Sequence, residues 1–318
     1  MHMLRLLTVM LFTALVPIFV SANTYPDRPV RMIVPYPAGG GTDALARLVA
    51  HKLGELWGKS VVIDNRPGAD TQIGNAAVAT APADGYTLLI IATTFTMHKH
   101  MVPSLPYEPA SDFVPIAPIA VYPYFLVVGN DVPVKNAQEL IALAKKSPGK
   151  LNHAISSGGQ FILTEAMKRG AGIDVVGVRY KGGTPAVQAT VAGEVTYHID
   201  TPGSFKAMID AGKLRVLATT GDRRSPLAPD APTFAEIGLA GGEIVSWVGL
   251  AAPKGTPPQI VEFINSSVQK TLSSPDVKEK LDSLTATPMV QNVGDFNSFV
   301  KAEFGRYEKI IKENNLKY

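Results

Sequence analysis

Apolar residues recur along this chain in two alternating rhythms. Val30–Pro35 is a short β-branched run that predicts a strand, and Tyr36–Thr42 is a Pro/Gly turn. Asp43–Trp57 then carries apolar residues at Leu45, Leu48, Val49, Leu53 and Leu56, the 3–4 spacing of an amphipathic helix. Ser60–Asp64 reads as a second strand and completes a candidate right-handed βαβ unit. The rhythm returns with strands Thr87–Ala92 and Phe125–Val128, and with a helix Asn136–Lys145 stopped by Ser147-Pro148-Gly149. Strand Asn152–Ile155, helix Ile162–Ala171, strand Val175–Arg179, helix Thr184–Ala192, strand Val195–Ile199, helix Ser204–Ala211 and strand Leu214–Thr219 follow. From Pro257 the chain predicts helices to Tyr318. This alternation predicts an α/β fold with mostly parallel sheets flanked by helices.

Length divides that pattern. At 318 residues the chain is long enough for two lobes, and no low-complexity linker separates them, so it is expected to cross between lobes more than once. Charge then narrows the partners. Thirty Lys and Arg against 27 Asp and Glu leave a net charge of +3, with no basic stripe to hold a phosphate backbone, so no nucleic acid is expected. The absence of Cys excludes disulfides, a thiolate nucleophile, iron–sulfur clusters and Cys-type zinc sites. The N-terminus sets the compartment: Arg5 precedes the uncharged run Leu6–Val20, and Val20-Ser21-Ala22 offers small residues at a cleavage site. Residues 1–22 therefore read as a signal peptide cleaved after Ala22, shorter than the ~20 apolar residues of a membrane span. The mature protein is expected outside the inner membrane, in the periplasm.

The most chemical segment is Pro37-Ala38-Gly39-Gly40-Gly41-Thr42-Asp43-Ala44. Three glycines between a strand and a helix let backbone approach a ligand, and the first-turn amides of the helix form an anion site. Thr42 or Asp43 can instead serve simply as the N-cap. Gly39-x-Gly41-x-x-Ala44, with Asp64 about 20 residues on, also satisfies the dinucleotide fingerprint, and the alternative reading is an exported dinucleotide-dependent oxidoreductase that uses this loop. Pro35 and Pro37 stretch that turn, and export makes a diffusing nicotinamide cofactor an unexpected partner, so a small carboxylate fits better. A second glycine turn, Ser156-Ser157-Gly158-Gly159-Gln160, also joins a strand to a helix. Facing turns in two lobes could grip a small anion through amides and hydroxyls.

Catalytic patterns are thin. No Gly-x-Ser-x-Gly elbow, Walker lysine or His-Glu-x-x-His occurs, and no metal or cofactor is expected. His98-x-His100 would point to one side on an extended segment, and His198 lies near the C-terminal end of a predicted strand, where open α/β sheets bind ligands. Neither turn carries a nucleophile–base pair, which favours a binder over an enzyme.

At this point a family resemblance emerges. The run Tyr25–Asp43 (Tyr-Pro-Asp-Arg-Pro-Val-Arg-Met-Ile-Val-Pro-Tyr-Pro-Ala-Gly-Gly-Gly-Thr-Asp) resembles the N-terminal signature of the Bug family, exported substrate-binding receptors of tripartite tricarboxylate transporters. Asp64-Asn65-Arg66-Pro67-Gly68-Ala69, Asp84–Leu88, Leu105-Pro106-Tyr107 with Asp112-Phe113, Tyr180-Lys181-Gly182-Gly183, Ala211–Arg215, Pro232–Glu236, and Trp247-x-Gly249 with Ala252–Thr256 are similar to its later motifs, in order. The resemblance implies a two-lobed, type II periplasmic-binding-protein fold that closes like a flytrap on a small carboxylate, acts as a monomer and delivers its ligand to membrane permease subunits. It implies a first domain of residues 23–123 and 247–318 and a second of 124–246, with crossovers near Tyr122–Phe125 and Ser246–Gly249.

Carried over by position, the family's ligand loop falls on Tyr36, Ala38, Gly39, Gly40, Gly41, Thr42 and Asp43. The loop after the third strand falls on Thr93–His98, with Thr93, Thr94 and His98 as candidates, and the opposing loop on Ser156, Ser157, Gly158, Gln160 and Phe161. The family's strand-end Asp falls on Asp200, beside Thr201. Three departures stand where selectivity is set. His98-Lys99 replaces an Asn-Pro, Phe161 or Leu163 stands where His is common, and Ala189 replaces an Asp. They point to an apolar or aromatic carboxylate rather than an amino acid.

Overall fold

The glycine turn sits where a buried strand meets a long helix. In the computed structural model, which describes residues 25–102, 104–242, 244–284, 286–313 and 316, β1 (Val30–Val34) is buried at every position but Arg31. It lies between β2 (Val61–Asn65) and β3 (Thr87–Ala92), parallel to both. Such a strand needs a near-continuous apolar run, which is what the sequence supplies. The signal-peptide segment lies outside the described residues.

The first sheet continues through β10 (Ser246–Pro253), β4 (Phe113–Tyr122) and β11 (Thr287–Pro288), in the order β11-β4-β10-β3-β1-β2. The second has the order β7-β6-β8-β5-β9, from β5 (Phe125–Gly129), β6 (Asn152–Ile155), β7 (Val176–Arg179), β8 (Tyr197–Asp200) and β9 (Leu214–Thr219). The chain leaves the first sheet after Tyr122, enters the second at Phe125 and is back in the first by Ser246. The expectation of mostly parallel sheets needs correction. The β10 pairs with β3 and β4, the β4–β11 pair, and the β5 pairs with β8 and β9 are all antiparallel, so both sheets are mixed. The cause is β10, β11 and β5, each of which enters its sheet against the direction of its neighbours.

Strand β4 is hard to read because it contains Pro115 and Pro118. Proline cannot donate to a ladder. The structure accommodates both at irregularities: the β10 register shifts at Val248/Gly249, where Gly249 faces Pro118, and at Leu250/Ala251, where Ala251 faces Pro115.

Helices cover the sheets: α1 (Gly41–Trp57), α2 (Gln72–Ala79), α3 (Thr93–Met101), α4 (Ala137–Lys146), α5 (Gly158–Ala171), α6 (Gly183–Val191), α7 (Pro202–Asp210), α8 (Pro258–Leu272), α9 (Pro275–Ser283) and α10 (Val293–Glu313). Helix α3 replaces the loop expected over Thr93–His98. Its β-branched start, Thr93-Thr94-Phe95-Thr96, hides a helix that is buried at most positions, with Thr96 Oγ1 bonded back to the Thr93 carbonyl at 2.8 Å. His98 and His100 consequently point in different directions.

Helix α10 contributes to two apolar clusters. Phe296 and Val300 join an apolar cluster with β1, β3 and β10 residues, whereas Tyr307 and Ile311 belong to the cluster that holds Met97 and Met101 of α3 together with Leu126, Tyr197 and Ile199 of the second sheet. Its start presses so closely on β10 that a Cβ on Gly249 would lie 2.4 Å from Phe296 Cζ. Farther along, Glu303 accepts a hydrogen bond from Trp247 Nε1 at 3.0 Å. No helix among the described residues is long and apolar enough to cross a membrane.

Candidate functional site

Five helices begin at one cleft between the lobes. Gly41 and Thr42 open α1, Thr93 and Thr94 open α3, Ser157 precedes α5, Gly183 and Thr184 open α6, and Thr201 precedes α7; all of them line the cleft. None of the five has a side-chain cap for its first-turn amides. The orphan N–H groups and positive dipole ends therefore converge on one small volume. Hydroxyls from Thr42, Thr93, Thr94, Ser156, Ser157, Thr184, Thr201, Ser204 and Ser246 surround it, and no Lys or Arg occurs among the described lining residues. The cavity holds about 60 Å³. It adjoins a larger space of about 700 Å³ that shares Tyr36, Pro37, Ser156 and Gly182 with it.

Local sequence explains how the glycine turn is held. Asp43 sits behind the turn, and its Oδ2 accepts from Gly39 N at 2.9 Å and from Arg47 Nε at 2.8 Å. Its Oδ1 accepts from Asn65 Nδ2 at 2.8 Å. Burial alone would raise the Asp43 carboxyl, but these donors outweigh it and hold the group below the usual carboxylate range. Asp43 thus braces the turn and does not face the cleft, which corrects its expected role as a ligand contact. Gly39, at φ +84°, has its amide committed to that brace, and neither it nor Ala38 lines the cleft.

Across from the turn, Asp200 ends β8. Its Oδ1 accepts from Thr201 N at 2.6 Å, and its Oδ2 lies 3.3 Å from Ser156 Oγ. Burial pushes its carboxyl up to about 6, despite the opposing hydrogen bonds from Thr201, Gln160 and Ser156. The Tyr36 and Tyr124 rings complete the walls, and burial drives both phenols upward, so they stay neutral donors.

Tyr36, Gly40, Gly41, Thr42, Thr93, Thr94, Ser156, Ser157, Gln160, Asp200 and Thr201 therefore come together. The remaining candidates do not. His98 is buried on α3, with Nδ1 3.1 Å from the Tyr107 hydroxyl and Nε2 3.5 Å from Asp70. His198 points into the second lobe against Phe205, at a ring-centroid separation of 5.1 Å, and burial pushes it down to about 3. The Phe161 ring lies 5.7 Å from the Arg179 guanidinium, outside the cleft, and Gly158 abuts Asp70. Sequence reasoning missed Pro37, Ala92, Tyr124, Gly182, Gly183, Thr184, Ser204 and Ser246 as lining residues. One signal was available, because Gly182-Gly183-Thr184 is a third strand–glycine–helix turn like the two recognised. At φ +111°, Gly182 packs on Pro37 of the other lobe so closely that a Cβ would lie 2.6 Å from Pro37 Cγ.

A family model described as tripartite tricarboxylate transporter family receptor matches residues 45–316. The chain belongs to this family. The receptor is 35% identical over 324 residues to protein BugT of Bordetella pertussis, covering 100% of this chain and 99% of the relative. It is 38% identical to a UPF0065 protein encoded in the tcbD-tcbE intergenic region of Pseudomonas sp. strain P51, over 92% of this chain and 88% of that one. Among solved structures it is similar to R. palustris Rpa4515 with adipate, at TM-score 0.89 and 36% identity over 92% of this chain and 99% of that one. It is also similar to MatC from Rhodopseudomonas palustris with bound malate, at TM-score 0.84 and 30% identity over 90% of this chain and 100% of that one. The family consists of periplasmic solute-binding receptors rather than enzymes, which sets aside the dinucleotide-dependent oxidoreductase reading. Asp64, the residue that reading needed, instead pairs with Arg66 at 3.0 Å.

Proposed function

We propose that the receptor captures a short aliphatic carboxylate in the interlobe cleft and delivers it to membrane permease subunits. The convergence of five uncapped helix N-termini on a cavity without Lys or Arg carries this reading, because it suits a small anion held by amides and hydroxyls. Relatives with bound adipate and malate support a carboxylate. The expectation of an apolar or aromatic acid loses the support of Phe161 and His98, since neither residue lines the cleft.

In this reading the lobes are residues 23–123 with 247–318, and 124–246. A bound acid touches both lobes only when they are closed, so it shifts a pre-existing open–closed equilibrium. The receptor acts as a monomer, exported with cleavage after Ala22.

Thermal-shift screening of C4–C8 mono- and dicarboxylates, adipate and malate included, tests the ligand class. An acid at 100 times its dissociation constant is expected to add about 2.7 kcal/mol of stability. Absence of stabilisation by every member overturns the reading. Pull-down of the permease subunits only in the presence of the stabilising acid tests delivery.

A further inference from the structure

Asp200 presents a carboxyl group to the same cleft that is shaped for an anion. Its immediate surroundings contain no counter-charge. On β8, the His198 Nε2 lies 3.8 Å from Oδ2, and burial and the neighbouring His153 keep that imidazole neutral at physiological pH. Among titratable groups on the adjoining β4–β5 segment, Tyr122 and Tyr124 are uncharged phenols. From α7 come the Thr201 amide and the Ser204 hydroxyl, and from α6 comes Gly183, where a Cβ would stand 2.9 Å from Oδ2.

The side chains of Gln160 and Thr201 also bond the carboxylate, and Ser156 serves it only in part. Ser156 Oγ is 3.3 Å from Oδ2 but only 2.5 Å from Gln160 Oε1, and a hydroxyl has one proton to give. The shorter bond takes it. Asp200 is thus met only by neutral donors, from Ser156, Gln160 and Thr201, at the place where a ligand arrives.

Because Asp200 lines the cavity with the helix starts, a carboxylate held by their amides would stand beside its Oδ2. Two carboxylates that share a small site do not both stay ionised; they hold one proton between them. We infer that the receptor binds its acid together with one proton, shared between a ligand carboxylate oxygen and Asp200 Oδ2. The balance is simple: one carboxylate and one proton leave solution, no covalent bond other than O–H forms, and the bound pair with Asp200 carries a single negative charge for the helix N-termini to hold. The inference rests on the carboxylate reading and adds a selectivity rule. Acids able to share a proton are favoured over anions of strong acids such as sulfate or sulfonates, which stay fully ionised.

The test is isothermal calorimetry of the intact mature receptor with adipate, or with the strongest stabiliser of the thermal-shift panel where adipate gives no shift. Titrations at pH 7.5 in two buffers of different ionisation enthalpy give the protons taken up per ligand. The expected count is close to one, with the dissociation constant rising toward tenfold per pH unit between pH 7 and 8.5. Asp200→Asn is expected to remove both effects while leaving a measurable affinity. A wild-type count near zero overturns the inference, as does an unchanged pH slope in Asp200→Asn. The wild-type count decides the matter even if the variant fails to fold. Absence of binding by every acid in the panel instead overturns the carboxylate reading itself.

Discussion

The backbones of Gly41 and Gly203 meet across the cleft with no space for a side chain between them. A Cβ on Gly203 would lie 2.8 Å from the Gly41 Cα, and one on Gly41 would lie 2.8 Å from Thr201 Oγ1. The start of α1 in one lobe and the start of α7 in the other can therefore close only as glycine against glycine.

Gly203→Ala is expected to weaken ligand binding without harming the unliganded fold. The added methyl is compatible with helix but obstructs the closed approach, at about 1–3 kcal/mol for an overpacked contact, or roughly 5- to 150-fold in affinity. Calorimetry should show the loss, and small-angle scattering should show a larger radius with saturating ligand than for the wild type. Unchanged affinity would remove closure at this contact from the binding mechanism.

Asp43→Asn should loosen the glycine turn. The substitution turns charge-assisted bonds from Arg47 and Gly39 into weaker ones and costs about 1.5–3 kcal/mol at neutral pH. Because the Asp43 carboxyl is held below its ordinary range, its contribution is present at neutral pH and is lost as the pH falls through the lowered folded value. Denaturant titrations should accordingly show wild type and variant converging in acid.

Asp200 has the opposite sign. Its carboxyl is raised to about 6, so its ionisation opposes folding: the penalty is absent below about pH 4 and complete above about pH 6. Asp200→Asn should stabilise the unliganded receptor at pH 8 by ~1–3 kcal/mol and change little at pH 4. Urea midpoints at the two pH values check this, and a variant less stable at pH 8 would contradict the burial argument.

Phe161→Leu should leave affinity for the best acid within about twofold, since it keeps an apolar group of similar volume at a position outside the cleft. A large loss would restore Phe161 as a specificity residue.

Much of this site was legible in linear sequence wherever a strand, a glycine pair and a helix followed one another. Gly40–Thr42 and Ser156, Ser157 and Gln160 were reached that way, and Gly182–Thr184 answers to the same rule. The errors share a cause. Asp43, His98, His198 and Phe161 lie within or beside the right segments, but a one- or two-residue step along a helix or strand turns a side chain from the cleft to the core. Chemical type does not reveal which way each one points. Helix α3 was lost because Thr-rich starts have weak helical preference, and β4 because two prolines masked a strand whose bulges absorb them.

Most of the strand–helix alternation, the placement of glycine turns and the family are properties of the sequence itself, because periodicity and turn chemistry act over a few residues. The direction of β10 and β5, the share of α10 in two apolar clusters, and the meeting of five helix starts around Asp200 belong to tertiary structure alone. They depend on contacts between segments far apart in the chain, where local propensity is silent and burial decides which groups are left facing the ligand.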